Sequence, residues 1–327
     1  MEISVLATGG TIASSHDRGG NIVVTETVDD LLKAITVPPG VNLVGTSLLS
    51  LPSYELSPDD MLEMVRELRS LIVTGIQGVV ITHGTDTMEE TAYLVGQYLP
   101  RRARIVLTGA QRGSDEFDSD GRRNLTDAIR VASADCELGP VIVTGGLAIA
   151  AVEARKVHTS SLSAFSGGDA GALALVDDAG VHVYGSCTRG GFYAEKELPV
   201  SLPRVDLIKL VAGADGTHID ASVNIGAQGI VIEALGAGNA TELVVAAVKR
   251  ARANGVHVAI TTRTGHGRVR PTYGGLGGGA LLAQAGATFA GDLTGPQARM
   301  ALAMSIAHES PDAVGDTVQL LGNGGNK

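Results

Sequence analysis

The chain has 327 residues, 44% of them hydrophobic and 18% charged, which is enough apolar material for a large globular core and, on length, for roughly two domains. Its 35 acidic residues outnumber the 25 basic ones, and no run of Lys or Arg with interleaved aromatics marks a nucleic-acid footprint, so composition argues against a polyanionic partner. The two cysteines, Cys136 and Cys187, form neither a C-x-x-C pair nor a group with histidines, which argues against a disulfide framework and a zinc site, and no apolar run is long enough to span a bilayer.

Ile3–Ala7 reads as a short apolar strand that starts directly after Met1, without the basic and apolar regions of a signal peptide, so the expected location is the cytoplasm. The strand runs into Gly9-Gly10-Thr11, a tight turn that presents a threonine. The segment 13–25, with Ser14-Ser15, Asp17-Arg18 and Gly19-Gly20, is small, polar and hinge-like, as a loop closing over a ligand should be.

Further along, ITHGTDTMEETA (Ile81 to Ala92) joins the strand pattern Gly78–Thr82 to a helical one in which Met88, Ala92, Val95 and Leu99 share a face. Thr87-Met88-Glu89-Glu90 has the form of a capping box, so a helix is expected to start there. Thr85 and Asp86 then stand at a strand-to-helix junction, the carboxyl edge at which open α/β sheets bind ligands. His83, between strand and glycine, reads better as a supporting hydrogen-bonding residue than as a general base. Arg104–Leu107 and Pro140–Val143 repeat the strand pattern, and the alternation with helical segments predicts a parallel sheet covered by helices.

Periodicity lapses in AEKELPVSLPRV, which marks a linker over 195–205 after an N-terminal domain of residues 1–194. Beyond it, strand patterns at Asp206–Leu210, Gly229–Glu233 and Val256–Ile260, with a helix over Thr241–Ala253, predict a smaller C-terminal α/β domain over 206–327. The expected class is therefore α/β, a larger N-terminal domain with a mainly parallel sheet flanked by helices and a smaller C-terminal α/β domain.

A threonine hydroxyl is a poor nucleophile at neutral pH, so catalysis at Thr11 would need a proton relay and donors for the developing oxyanion. A phosphate loop is disfavoured because the Gly-Lys-Ser/Thr ending is missing, and a dinucleotide site fails for lack of a G-x-G-x-x-G turn between a strand and a helix with an acidic residue following at the right distance.

ATGGTIAS together with THGTDTMEETA resembles the bacterial-type L-asparaginases, homotetrameric amidohydrolases with two threonine motifs. TGAQRGSDEFDSDGRRNL is similar to the family's TGAMRP…SADGxxNL segment, EARKVHTSSLSAF to its K-x-H-T…F segment and GIVIEALGAGN to its GIV…GxGN segment, so the likeness covers nearly the whole chain. The resemblance implies hydrolysis of L-asparagine at a site closed by a neighbouring subunit, without metal or organic cofactor. Position by position, it makes Thr11 the first nucleophile and Thr85, Lys156 and Asp86 the group that activates the second step, with Asp86 also facing the substrate ammonium. It assigns Ser53 to the substrate α-carboxylate with Tyr54 beside it, the backbone of Gly84 and Ala110 to the amide end, and Asn239 to a contribution across a dimer interface.

The chain departs from the family pattern at several of these places. Its first tyrosine is Tyr54, so the lid lacks the tyrosine that many members place there, and Tyr54 itself stands where glutamine is common. Gln111 and Gly113 replace a Met and a Pro, and no acidic residue lies between Arg263 and Ala290, where some members supply a glutamate from the neighbouring subunit. The amidase subunit of tRNA-dependent amidotransferases shares the threonine motifs but carries an additional N-terminal domain, for which the start of GGTIA at Gly9 leaves no room. A non-catalytic amino-acid sensor that kept the pocket is the rival from another class, disfavoured because every group matched to the chemistry is present.

Overall fold

The computed structural model describes residues 1–325, which fall into two compact units, Met1–Leu198 and the part from Pro199 onward. In the first unit β1 (Glu2–Ala7) leads into a hairpin of β2 (Ser14–His16) and β3 (Ile22–Val24), followed by α1 (Val28–Lys33), β4 (Asn42–Ser47), α2 (Pro58–Val73), β5 (Gly78–Thr82) and α3 (Met88–Tyr98). Next come β6 (Ile105–Thr108), α4 (Gly121–Ser133), β7 (Val141–Thr144), β8 (Leu147–Ala150), the two-residue strands β9 (Arg155–Lys156) and β10 (Phe165–Ser166), then β11 (Ala174–Asp177) and β12 (Gly180–Val183).

Eight of these strands form one sheet in the order β12-β11-β8-β7-β6-β5-β1-β4, parallel from β4 through β7 and antiparallel at β8, β11 and β12. Every residue of β5, β6 and β7 is buried, which is why these strands read as continuous apolar runs and not as alternating ones. Helix α2 starts as its sequence directs: Ser57 and Asp60 form a capping box around Pro58, and Met61, Leu62, Met64, Val65 and Leu68 are buried.

The strand order locates the site. From β1 the chain pairs outward with β4, then crosses back to place β5 on the other side of β1. The crevice at the carboxyl ends of β1 and β5 is thus the switch point of the sheet, the place where an open α/β sheet leaves room for a ligand. Gly9 and Gly10 turn the chain out of β1 with φ of 102° and 80°. A Cβ on Gly10 would collide with the backbone of Gly84, and one on Gly84 would come within 2.6 Å of Ser53 Oγ, so three loops meet there backbone to backbone.

The second unit has a parallel four-stranded sheet in the order β13 (Val205–Lys209), β14 (Gly229–Ala234), β15 (His257–Thr262), β16 (Thr288–Phe289). Its helices are α5 (Thr217–Asn224), α6 (Glu242–Ala253), α7 (Gly279–Gln284), α8 (Gly295–His308) and α9 (Val314–Gly322). Its core gathers Ile230, Ile232, Val244, Val248, Val258, Ile260 and Leu282. Among the described residues no helix is long and apolar enough to cross a membrane.

Gly10→Ala should destabilise the protein by at least about 2 kcal/mol, since left-handed strain and a backbone collision act together. Gly20→Ala, where φ is 82° with open space around the Cβ position, should cost only about 1 kcal/mol. Urea unfolding of both variants checks this; equal losses would show that the contact with Gly84 carries no weight.

Candidate active site

A cleft of about 560 Å³ opens at the switch point of the first unit, lined by Thr11, Ser53, Tyr54, Gly84, Thr85, Asp86, Gln111, Lys156 and Thr159, with Ile22, Val23 and Val24 from the hairpin. Of the candidate residues in the sequence, Thr11, Thr85, Asp86, Lys156, Ser53, Tyr54 and Gly84 meet here. Ala110 is buried, and its neighbour Gln111 forms the lining instead. Asn239 belongs to the second unit, where its Oδ1 accepts the Gly279 N–H at 3.2 Å, as a turn asparagine does.

Thr11 opens a single 3₁₀ turn, Thr11–Ala13, held by Ala13 N–H and Ser14 Oγ, both donating to Gly10 O. Among the described residues no hydrogen-bond partner takes the Thr11 hydroxyl, which is therefore free to meet a ligand. Lys156 Nζ donates to Thr85 Oγ1 at 2.8 Å and to Asp86 Oδ1 at 2.7 Å. The lysine side chain is only 14% exposed while that of Asp86 is 59% exposed, so the ion pair lies at the cleft surface, partly screened, and holds geometry more than it adds stability. With its oxygen accepting from an ammonium, Thr85 has its own proton to offer to a group in the cleft.

Around these groups stands a layer of supports. His83 is fully buried; its Nδ1 lies 2.7 Å from Gly84 O, which can only accept, so Nδ1 carries the proton and Nε2 accepts from Thr91 Oγ1 at 2.9 Å. Burial pushes the imidazole down to about 4, so it is neutral near pH 7 and serves to orient Gly84. Glu89 accepts the Lys156 backbone N–H at 3.0 Å, and burial pushes its carboxyl up to about 7 against the effect of that bond.

The helices that start at the cleft do not cap themselves. The capping box expected at Thr87 is not formed: the Thr87 hydroxyl donates instead to Ser53 O at 2.8 Å and ties the turn that carries Ser53 to α3. At the start of α4, Asp120 likewise makes no cap bond, and its carboxylate accepts from Gln111 N, Arg112 N and Asn124 Nδ2. Asn124 in turn donates to Gly109 O and accepts from Gly145 N, so the loop after β6 is fixed from both sides.

The segment expected as a closing loop is the β2–β3 hairpin. Ser114 donates through both N and Oγ to Ser14 O, and Asp115 accepts from His16 N and lies 3.1 Å from His16 Nδ1, which latches the hairpin to the 112–119 loop. Its β3 strand lines the cleft with the apolar Ile22, Val23 and Val24, and β2 adds Ser14. Tyr54 is 69% exposed at the margin of the cleft.

Sequence reasoning assigns no site role to Glu89, Thr87, Asp120 or Asn124. Asp120 and Asn124 lie in the DSDGRRNL stretch, whose acid and amide four residues apart at a helix start are the available signal. For Glu89 the only signal is an acidic residue in the first turn of a helix, which is common.

The first unit matches the family model described as Asparaginase, N-terminal over residues 2–189, and the second matches Glutaminase/Asparaginase C-terminal domain over residues 204–314. The chain is 31% identical to an L-asparaginase of Bacillus licheniformis, over 94% of its own length and 95% of that protein's. It is also 35% identical to a probable L-asparaginase of Deinococcus radiodurans, over 92% and 91%. A Glutamyl-tRNA(Gln) amidotransferase subunit from Pyrococcus furiosus is 33% identical, over 82% of this chain and 64% of that one. Among solved structures, a probable cytoplasmic L-asparaginase from Campylobacter jejuni superposes with a TM-score of 0.85 at 26% identity, covering 97% of this chain and 98% of the other.

Thr87→Val should loosen the Ser53 turn while leaving the Lys156 cluster in place. The expected result is a KM raised about three- to tenfold with kcat changed less, the worth of one hydrogen bond, read from steady-state kinetics. His83 binds no proton in the folded protein until about pH 4, whereas the unfolded chain takes one near 6.5, so its contribution to stability is lost as pH falls from 6.5 toward 4. The stability of wild type minus that of His83→Gln should therefore fall over this range by up to about 1.4 kcal/mol per pH unit, as denaturant titrations at several pH values would show.

Proposed function

The chain belongs to the asparaginase family, and from that premise we propose that it hydrolyses L-asparagine to L-aspartate and ammonia by double displacement. The observation that carries this reading is the Lys156 ammonium held between Thr85 Oγ1 and Asp86 Oδ1 in the same cleft as the Thr11 hydroxyl, which no described residue engages. Thr11 Oγ attacks the side-chain amide carbon, the C–N bond breaks, and the proton given up by the Thr11 hydroxyl goes to the nitrogen, which leaves as ammonia. Water polarised beside Thr85 then attacks the resulting ester, which releases aspartate and returns the proton to Thr11 Oγ. Asp86, exposed on the cleft side, is the natural partner for the substrate α-ammonium, and Ser53 for the α-carboxylate.

Assembly into dimers or tetramers, with Asn239 supplied across an interface, belongs to the same reading. The similarity to a Campylobacter protein described as probably cytoplasmic supports a cytoplasmic location. The amidotransferase subunits are the second reading, favoured by their comparable identity; for this reading the amide donor would serve a tRNA-linked acceptor and free asparagine would be turned over poorly.

Ammonia release from free L-asparagine, measured across size-exclusion fractions, tests the proposal. Activity should elute with an oligomer, and Thr11→Ala should fold normally with its rate reduced at least about a hundredfold. Retention of more than a few per cent of the rate in that variant would remove Thr11 from the nucleophile's role.

A further inference from the structure

Lys156 is gripped at two points by one short segment. Its Nζ meets Thr85 and Asp86, and its backbone N–H donates to Glu89 Oε2 at 3.0 Å, four residues beyond Thr85 on the same run of chain. Its own strand, β9, is two residues long and pairs only with the equally short β10, through Phe165 opposite Lys156 and Ser166 opposite Arg155. So slight a ribbon leaves a side chain with four rotatable bonds free to drift by more than the reach of a hydrogen bond. The bond from Glu89 ties the root of Lys156 to α3, the helix that grows out of the Thr85 turn.

A glutamate in the first turn of a helix ordinarily bonds to its own helix start or faces water. Here it points to another element and is partly buried there. We propose that Glu89 is a positioning residue for the hydrolytic half of the reaction: by accepting the Lys156 backbone N–H it sets where the Lys156 ammonium meets Thr85. The proposal rests on the role assigned above to Lys156 and Thr85.

The charged groups facing the Glu89 carboxyl are Glu90 on its own helix and Arg155 and Lys156 on β9. Burial pushes that carboxyl up to about 7, so it passes from neutral to anionic across the neutral range. An anionic oxygen is the stronger acceptor, and the grip on Lys156 tightens as pH rises. A glutamine at this place keeps the shape and a neutral acceptor at every pH; an alanine removes the acceptor.

The test compares wild type, Glu89→Gln and Glu89→Ala for kcat, KM and their pH dependence with L-asparagine, after thermal unfolding has checked the fold of each. In wild type kcat should rise through an ionisation near pH 7. Glu89→Gln should match wild type within about twofold below pH 6, fall about three- to tenfold behind at pH 8, and lack the ionisation. Glu89→Ala should lose at least about tenfold in kcat with KM lowered alongside it, so that kcat/KM, which reports the acylation half alone, changes less than about threefold, and rapid mixing should show an ammonia burst of one equivalent per site ahead of slow aspartate formation. A kcat for Glu89→Ala within twofold of wild type at pH 8, or an ionisation near 7 that persists in Glu89→Gln, overturns the proposal. Should the alanine variant not fold, the glutamine profile alone decides. A wild type that releases no ammonia from asparagine would overturn the underlying reading of the site, a result distinct from any of these.

Discussion

Gly10 and Gly84 touch backbone to backbone, and the arrangement of the cleft follows from that contact. The loops leaving β1 and β5 carry Thr11 and Thr85, and they can share one cleft only if nothing larger than hydrogen stands between them. Gly10 has a second reason to be glycine, since its φ of 80° turns the chain sharply enough for Thr11 to begin the next turn. Gly84 repeats the device toward Ser53, so Ser53, proposed above to hold the substrate carboxylate, is placed by the same close packing.

On top of this backbone contact lies a set of side chains diverted from local duty. At α1, α2 and α8 a Thr or Ser and an acid or amide three residues on close a capping box. At α3 and α4, which start beside the cleft, Thr87 and Asp120 leave the helix start and reach across to neighbouring loops. A missing cap costs a helix about 1 kcal/mol, and packing against the fully buried strands β5, β6 and β7 supplies far more than that. The fold can therefore release these two side chains to fix loops that would otherwise be mobile.

Charge in the site is arranged by depth. The deepest titratable group, His83, is kept neutral by burial and acts through hydrogen bonds alone. Lys156 comes next, mostly covered, and Asp86 stands toward water. Glu89 sits behind Lys156, away from Asp86 along the same segment, so the lysine has one acidic neighbour at its head and another at its root. A lysine surrounded in this way stays put without a rigid strand of its own.

Much of this is legible in the sequence. The strands at Gly78–Thr82 and in the second unit at Gly229–Ala234 follow from apolar runs that buried parallel strands require, and the two threonine motifs fall at strand ends. Those are properties of neighbours along the chain, which periodicity and turn chemistry report. The partner of Thr87 is misread from sequence because a Thr followed three residues later by Glu satisfies the local rule for a cap, while its actual acceptor, Ser53 O, is 34 residues away. Lys156 lies 71 residues from Thr85 and 67 from Glu89, and Thr11 reaches the same cleft because β1 pairs beside β5. Residue spacing carries no record of strand order, so only the family resemblance groups Thr11, Thr85, Asp86 and Lys156 in the sequence, while the bonds that join Lys156 to Thr85, Asp86 and Glu89 exist only once the fold has brought their loops to one edge.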